Sequence, residues 1–239
     1  MKERKRIFFA LVFLLLAVLL INGSIQLGYH LALILTLWLA IDFLLLSIAY
    51  LFNKPRLLGK RTDGNRPLFF TLLWGPWFFI TSLAFMLQLL LSRSPSYHVI
   101  AENLSLGRHG HARELPPDTE IVVDLTAEFT TEKEIQKNYQ LYCLPILDGC
   151  TPAPKKFAEL VNRLANEKRP IYIHCANGTG RSALLAAALL VQKRIAKNPK
   201  EAVKILREIR PQVRLNLEQC DFLQNLSQSF PDSEPKTGN

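Results

Sequence analysis

The segment His174-Cys-Ala-Asn-Gly-Thr-Gly-Arg-Ser182 places a cysteine six residues ahead of an arginine, with two glycines between them. The apolar residues 170–173 precede it and an alanine- and leucine-rich run follows, so it should be a loop leading from a strand into a helix. Such a loop turns successive backbone N–H groups toward one point at the positive pole of the helix, which makes an anion cradle. Gly178 and Gly180 permit the tight turn and a close approach, Ala176, Asn177 and Thr179 complete the loop, and Arg181 adds a planar fork matched to two phosphate oxygens. In that field Cys175 should ionise, because helix N-termini and nearby cations lower a cysteine pKa to about 3.5–7.5. A thiolate under a bound phosphorus can displace an alkoxide from a phosphate monoester, and the alkoxide then needs a proton. The best donor in the chain is Asp148, in Leu-Asp-Gly-Cys-Thr-Pro152, where Gly149 and Pro152 mark a surface loop at the carboxyl end of a strand. A carboxylate that only caps this turn is the alternative.

The elements that must position these groups are short. Residues 120–125, 139–147 and 170–174 are β-branched, aromatic and apolar and read as buried strands. Between the last two, Phe157, Leu160, Val161, Leu164 and Ala165 recur at helical spacing, which implies a strand-helix-strand unit with parallel pairing. Residues 182–196 should form a buried helix, with further helices over 200–210 and 217–230 and a disordered tail over 231–239. The fold class is therefore α/β, a sheet flanked by helices.

Cysteine, five residues, arginine and serine on a strand-loop-helix, with the aspartate turn upstream, resembles the cysteine-dependent protein tyrosine phosphatase superfamily, dual-specificity branch. The resemblance spans residues 99–226 and includes Asn103-Leu-Ser-Leu-Gly-Arg108 and Val122-Val-Asp-Leu-Thr-Ala-Glu-Phe129. It implies that Cys175 is the nucleophile, Arg181 the phosphate clamp, Asp148 the general acid and later base, and Ser182 the hydroxyl that helps the thiolate leave. No metal or cofactor is implied. His174 and Gln219 would support the site from behind, His174 as a hydrogen-bond donor rather than a base. Arg210 follows the same pattern, although a helix end explains it equally well. The chain is also similar to bacterial membrane-anchored proteins that carry this domain. Ala176, Asn177 and Thr179 carry no charge, which weakens a multiply phosphorylated head group as the ligand.

Residues 1–91 have another composition. Apolar stretches over 7–21, 30–52 and 68–91 make two or three candidate membrane helices, the first of which needs residues 22–25 to reach about 20. A secretory signal is the rival reading of that first stretch. The chain's net charge of +9 concentrates beside these stretches, in Lys2, Arg4, Lys5 and Arg6 and again in Lys54, Arg56, Lys60, Arg61 and Arg66. Beyond residue 91 the charges nearly balance, which argues against a nucleic-acid face. The basic clusters read as positive-inside signals and contacts to anionic lipid. The expected organisation is a membrane region over 1–91, a linker over 92–97, a catalytic domain over 98–230 and the tail.

Trp74-Gly-Pro-Trp77 decides the topology. If it breaks the third stretch into an interfacial or re-entrant piece, the catalytic domain stays in the cytoplasm, the preferred reading for a multi-pass protein of a bacterial inner membrane. If that stretch crosses, the domain is external. Asp42, within the second stretch, serves either helix packing or function. Cys150 could lock Cys175 by oxidation, though packing explains it more simply. Asp118, Asp124 and Glu128 are expected at caps or strand ends, and His109 and His111 in loops. The substrate expected first is a phosphoprotein, carrying phosphotyrosine and conceivably phosphoserine or phosphothreonine. A membrane lipid phosphate such as phosphatidylglycerophosphate or a phosphoinositide is the alternative, and a non-catalytic phosphate-binding membrane scaffold is the reading from another class.

Overall fold

The computed structural model describes residues 4–27, 30–92 and 94–228. The tail expected over 231–239 lies outside the described residues. Helix α1 (Arg4–Leu27) continues past the polar residues 22–24, and α2 (His30–Leu51) packs along it. Phe9 meets Tyr50 and Phe13 meets Phe43, so the two run antiparallel and Leu51 returns to the level of the first turn of α1. Both helices contain a 19-residue window, Lys5–Gly23 and Leu33–Leu51, long and apolar enough by length and composition to cross a bilayer.

The third apolar stretch is broken. It forms α3 (Leu68–Leu73) and α4 (Gly75–Leu91), which meet at Trp74. Pro76 has no N–H and its ring crowds the preceding turn, which breaks the helix there. In a continuous helix the Trp77 N–H would donate to the Leu73 carbonyl. Instead, Trp77 N–H donates to Asp42 Oδ2 at 3.0 Å and the Leu73 carbonyl accepts from Trp38 Nε1 at 2.8 Å. Helix α2 thus supplies both replacement partners. Asp42 is fully buried, its Oδ2 serving this break and its Oδ1 without a hydrogen-bond partner among the described residues. Helix α4 then lies along the following domain. Phe78 sits under the Arg66 guanidinium, 3.7 Å from its ring centre, and two turns later Phe85 packs on Phe129.

Strands β1 (Tyr97–Ala101), β2 (Leu104–Arg108), β3 (Ile121–Thr126), β4 (Gln140–Ile146) and β5 (Ile171–Cys175) form one sheet in the order β1-β2-β5-β3-β4. Only β1 is antiparallel to its neighbour. Strands β4 and β5 are parallel, as the crossover helix α6 (Pro154–Ala165) requires, yet they do not pair, because β3 lies between them. Every residue of β5 and of β3 is buried; β5 takes the centre of the sheet and β3 lies beside it, where both faces are covered. Helix α7 (Arg181–Gln192) fills the middle of one face and is flanked by α6, α8 (Pro199–Ile209) and α9 (Leu217–Gln228).

The opposite face has lighter cover, and the sequence expectations need correction there. Alternation puts Val122, Asp124 and Thr126 on that side of β3. Beside the 3-10 turn Ala112–Glu114 and α5 (Lys133–Asn138), the segment after α2 docks onto it. Lys60 is not a lipid contact: it is buried and donates to Asp124 Oδ2 at 2.6 Å and Thr126 Oγ1 at 2.8 Å. Arg66 likewise donates to the carbonyls of Leu58, Ala127 and Glu128. Asp124 is no cap, since it also accepts from the Thr126 and Thr131 hydroxyls. Burial alone would raise its carboxyl, but Lys60, with His174 and His109, outweighs that and holds it well below the carboxylate range. Residues 94–97 are similarly anchored, with Tyr97 already in β1 and the Pro95 carbonyl accepting from Arg210. The segment after α2 and the residues before β1 are therefore built into the sheet domain.

Replacing Lys60 by methionine would leave the Asp124 charge buried and unpaired, a loss of about 3–5 kcal/mol. We expect Lys60→Met to lower the denaturant midpoint of the detergent-solubilised protein at neutral pH, with part of the loss restored by adding Asp124→Asn. Because the folded-state pKa of Asp124 is depressed, the pair stabilises above about pH 4, and its contribution fades as pH falls below the ordinary carboxylate value. An unchanged midpoint at pH 7 would show that the juxtamembrane segment does not support the domain.

Candidate active site

Strand β5 ends at Cys175 and α7 begins at Arg181, so the intervening residues bridge strand and helix as expected. What orients them is a ring of outside donors on their carbonyls. The Ala176 carbonyl accepts from His109 N–H and that of Thr179 from Arg214 N–H, both at 2.9 Å. Buried Arg210 serves the two between, its Nη2 donating to Asn177 O at 3.1 Å and its Nε to Gly178 O at 3.0 Å. In a planar trans peptide the carbonyl and the next N–H point oppositely. Drawing the four carbonyls outward therefore turns the N–H groups of residues 177–180 inward, toward an anion. Gly178 is required, because its φ is +70° and a Cβ there would overlap the Gly107 carbonyl. Gly180 is not at positive φ, and a Cβ on it would meet only ordinary contacts, so the expectation that both glycines shape the turn holds for one.

Cys175 is 3 % exposed, and its Sγ lies 3.2 Å from the Ser182 hydroxyl. The Arg181 guanidinium, 1 % exposed, is held from one side by Glu128: Nη1 to Oε2 at 2.8 Å and Nη2 to Oε1 at 2.6 Å. Nη1 also donates to the Ile146 carbonyl. Burial opposes the charge on Arg181, while Glu128 and Asp148 favour it more strongly and push its pKa up. Arg181 Nε is buried without a protein partner among the described residues. The fork is thus fixed on its Glu128 side and keeps an unspent donor. The Asp148 side chain is 73 % exposed, with Oδ1 3.2 Å from Arg181 Nη2, so the two charged groups named from the sequence do converge.

Glu128 was expected at a strand end and proves to be the partner that orients Arg181. Its signal was its place two residues beyond β3, at the carboxyl edge of a strand paired with β5. Arg210 is likewise more than a helix end, since it ties α8 to the loop and to Pro95. Gln219 Nε2 donates to the Cys150 carbonyl at 3.3 Å and its Oε1 accepts from Asn216 N–H, which links the Asp148 turn to α9. The ring of His174 is buried, with Nε2 3.9 Å from Asp124 Oδ2. Its buried ring lies between Tyr172 and His109, and burial lowers its pKa so that the imidazole is neutral. His109 is not a simple loop residue, because it stacks on Phe129 and burial pushes it down to about 4. Cys150 packs against the membrane-proximal cluster, and burial pushes its thiol up to about 12.

With this geometry in hand, the chain belongs to the family described as dual specificity phosphatase, catalytic domain, whose model matches residues 106–229. It is similar to 197R of Invertebrate iridescent virus 6, a protein named as a tyrosine phosphatase, with 36 % identity over 115 residues, 44 % of this chain and 41 % of that one. The chain thus spans about two fifths of that curated relative. Cyclin-dependent kinase inhibitor 3 of Rattus norvegicus is 39 % identical over 69 residues, 28 % of this chain and 32 % of its own. Among solved structures, Tk-PTP in the active form aligns with a TM-score of 0.51 and 26 % identity over 56 % of this chain and 98 % of its own. The family match covers the part of the chain that carries the loop. Helices α1–α4 lie outside the family match.

Proposed function

We propose that the protein is a membrane-anchored phosphatase that hydrolyses phosphate monoesters through a cysteinyl-phosphate at Cys175. The observation that carries this reading is the convergence of Cys175, the Arg181 fork and Asp148 on one inward-turned loop. A monoester phosphate would sit on the loop N–H groups and the free Arg181 Nε. The Cys175 sulfur forms the S–P bond as the P–O bond breaks, and protonated Asp148 delivers its proton to the leaving oxygen. Water then attacks phosphorus and gives a proton back to Asp148. The S–P electron pair returns to sulfur, steadied by the Ser182 hydroxyl at 3.2 Å. Glu128 keeps Arg181 in register throughout. Acid quenching during turnover of a labelled small ester should trap phosphate on Cys175, and its absence under single-turnover conditions would overturn the mechanism.

Exposure supports the membrane part of the reading. Large exposed apolar side chains such as Phe8, Leu11, Leu15, Leu19, Ile34, Phe69, Phe79 and Leu90 crowd α1–α4, whereas among the described residues beyond 91 they reduce to Val99, Ile195 and Leu217. Two crossings bring the chain back to the side on which it started, and α4 stays against the domain. The catalytic domain then shares the face of the basic residues near Arg4, which the positive-inside rule makes cytoplasmic. In sealed vesicles, tags on both termini should be cut together or protected together by added protease; opposite accessibility would place the domain across the membrane.

A further inference from the structure

The active-site mouth opens into a crevice whose helical walls lie outside the family match. It has a volume of about 320 Å³ and joins the loop residues Ala176 and Asn177, with Glu128 and Asp148, to walls from α1, α2 and α4. Phe9 and Phe13 come from α1, Leu46 and Tyr50 from α2, and Ile80 and Ala84 from α4. Its size lies within the range of about 300–1,000 Å³ usual for small-ligand sites. The crevice thus joins the anion cradle to aromatic and aliphatic walls. Trp77 and Thr81 line it as well, and Trp77 Nε1 and Thr81 Oγ1 are buried polar atoms without a protein partner among the described residues. A buried polar atom without a partner costs about 1–3 kcal/mol, so two of them in one wall point to an occupant that brings oxygen atoms.

We propose that the crevice is the binding site for the glycerol backbone and first acyl methylenes of a membrane lipid phosphate monoester, with its phosphate on the Cys175 loop. The inference rests on the phosphatase reading above and names its substrate class. Such a lipid brings phosphate for the cradle, ester oxygens for the Trp77 and Thr81 atoms and hydrocarbon for the aromatic and aliphatic walls. The crevice lies beside the first turns of α1 and last turns of α2, so a lipid reaches it from the leaflet by a displacement of a few ångströms. A phosphorylated side chain on a folded protein would have to present its phosphate past α4. Hydrolysis consumes one water, breaks the lipid P–O bond and releases the lipid alcohol and inorganic phosphate.

The test uses the full chain in mixed micelles, with dioleoyl phosphatidic acid, glycerol 3-phosphate, a phosphotyrosine peptide and p-nitrophenyl phosphate as substrates. The lipid should exceed both glycerol 3-phosphate and the peptide at least 100-fold in kcat/KM. Ala84→Trp, which fills the crevice from α4, should lower the ratio of lipid to p-nitrophenyl phosphate turnover at least tenfold. Leu90→Trp, on the 81 % exposed outer surface of α4, should leave that ratio alone. Turnover of the peptide or of glycerol 3-phosphate as fast as the lipid, or a ratio untouched by Ala84→Trp, overturns the inference while p-nitrophenyl phosphate hydrolysis shows the chemistry intact. If no ester is hydrolysed, the phosphatase reading fails instead. The crevice is then judged by binding: brominated-chain phosphatidic acid should quench tryptophan fluorescence in Cys175→Ser protein, reversibly by inorganic phosphate and at least tenfold more weakly after Ala84→Trp. Quenching indifferent to that substitution overturns it.

Discussion

Cys175→Ser should reduce turnover of every phosphate monoester by about 10⁴-fold or more while leaving tungstate and phosphate binding in place. The substitution is nearly isosteric, and the anion cradle is made by backbone N–H groups whose orientation depends on Arg210, Arg214 and His109 rather than on the sulfur. What is lost is the nucleophile, because a serine hydroxyl with no adjacent base is un-ionised at neutral pH. The neutral ring of His174 is turned away among Tyr172 and His109 and offers no such base. Arg181→Ala removes the fork as well as its charge, so it should lose anion binding together with about 10²–10³ in rate. Rates and isothermal titration with tungstate on the same preparations separate the two outcomes. A Cys175→Ser protein that still turns over would mean the thiol is a bystander.

The second large effect belongs to Asp148. Asparagine keeps the size of the side chain but carries no proton to transfer, so Asp148→Asn should slow hydrolysis of alkyl phosphates by about 10²–10⁴. Its dependence on leaving group is the sharper signature. An alkoxide cannot depart unprotonated, whereas p-nitrophenolate can, so the same variant should lose far less on p-nitrophenyl phosphate. Asp148 also sits 3.2 Å from Arg181, so a merely electrostatic role would depress both substrates alike. Equal losses on the two esters would reassign the proton donor.

The α/β class and the segments that bring Cys175, Arg181 and Asp148 together were legible in the residues alone, because each depends on local grammar. A strand-glycine-loop-helix segment sets the path of the loop, although its carbonyls are drawn outward by His109, Arg210 and Arg214 from elsewhere in the chain. An aspartate-glycine turn after an apolar run marks the carboxyl edge of a parallel strand. Two long apolar helices were legible for the same reason, as runs of one kind of side chain. The break at Trp74 was half legible: Pro76 announces it, but only α2 shows where the freed groups go, to Asp42 and Trp38. Nothing local could reveal that Lys60 pairs with Asp124 or that Glu128 holds Arg181, since each pair joins segments more than 50 residues apart. Both acids sit at ordinary strand-end positions, and a basic juxtamembrane loop looks the same whether it meets lipid or protein. Strand order was equally hidden, because the β4-α6-β5 crossover fixes direction and hand but leaves room for β3 between. The crevice is the extreme case: its lining comes from seven separate stretches of chain, and only tertiary packing lays an apolar wall of membrane helices against a phosphate loop.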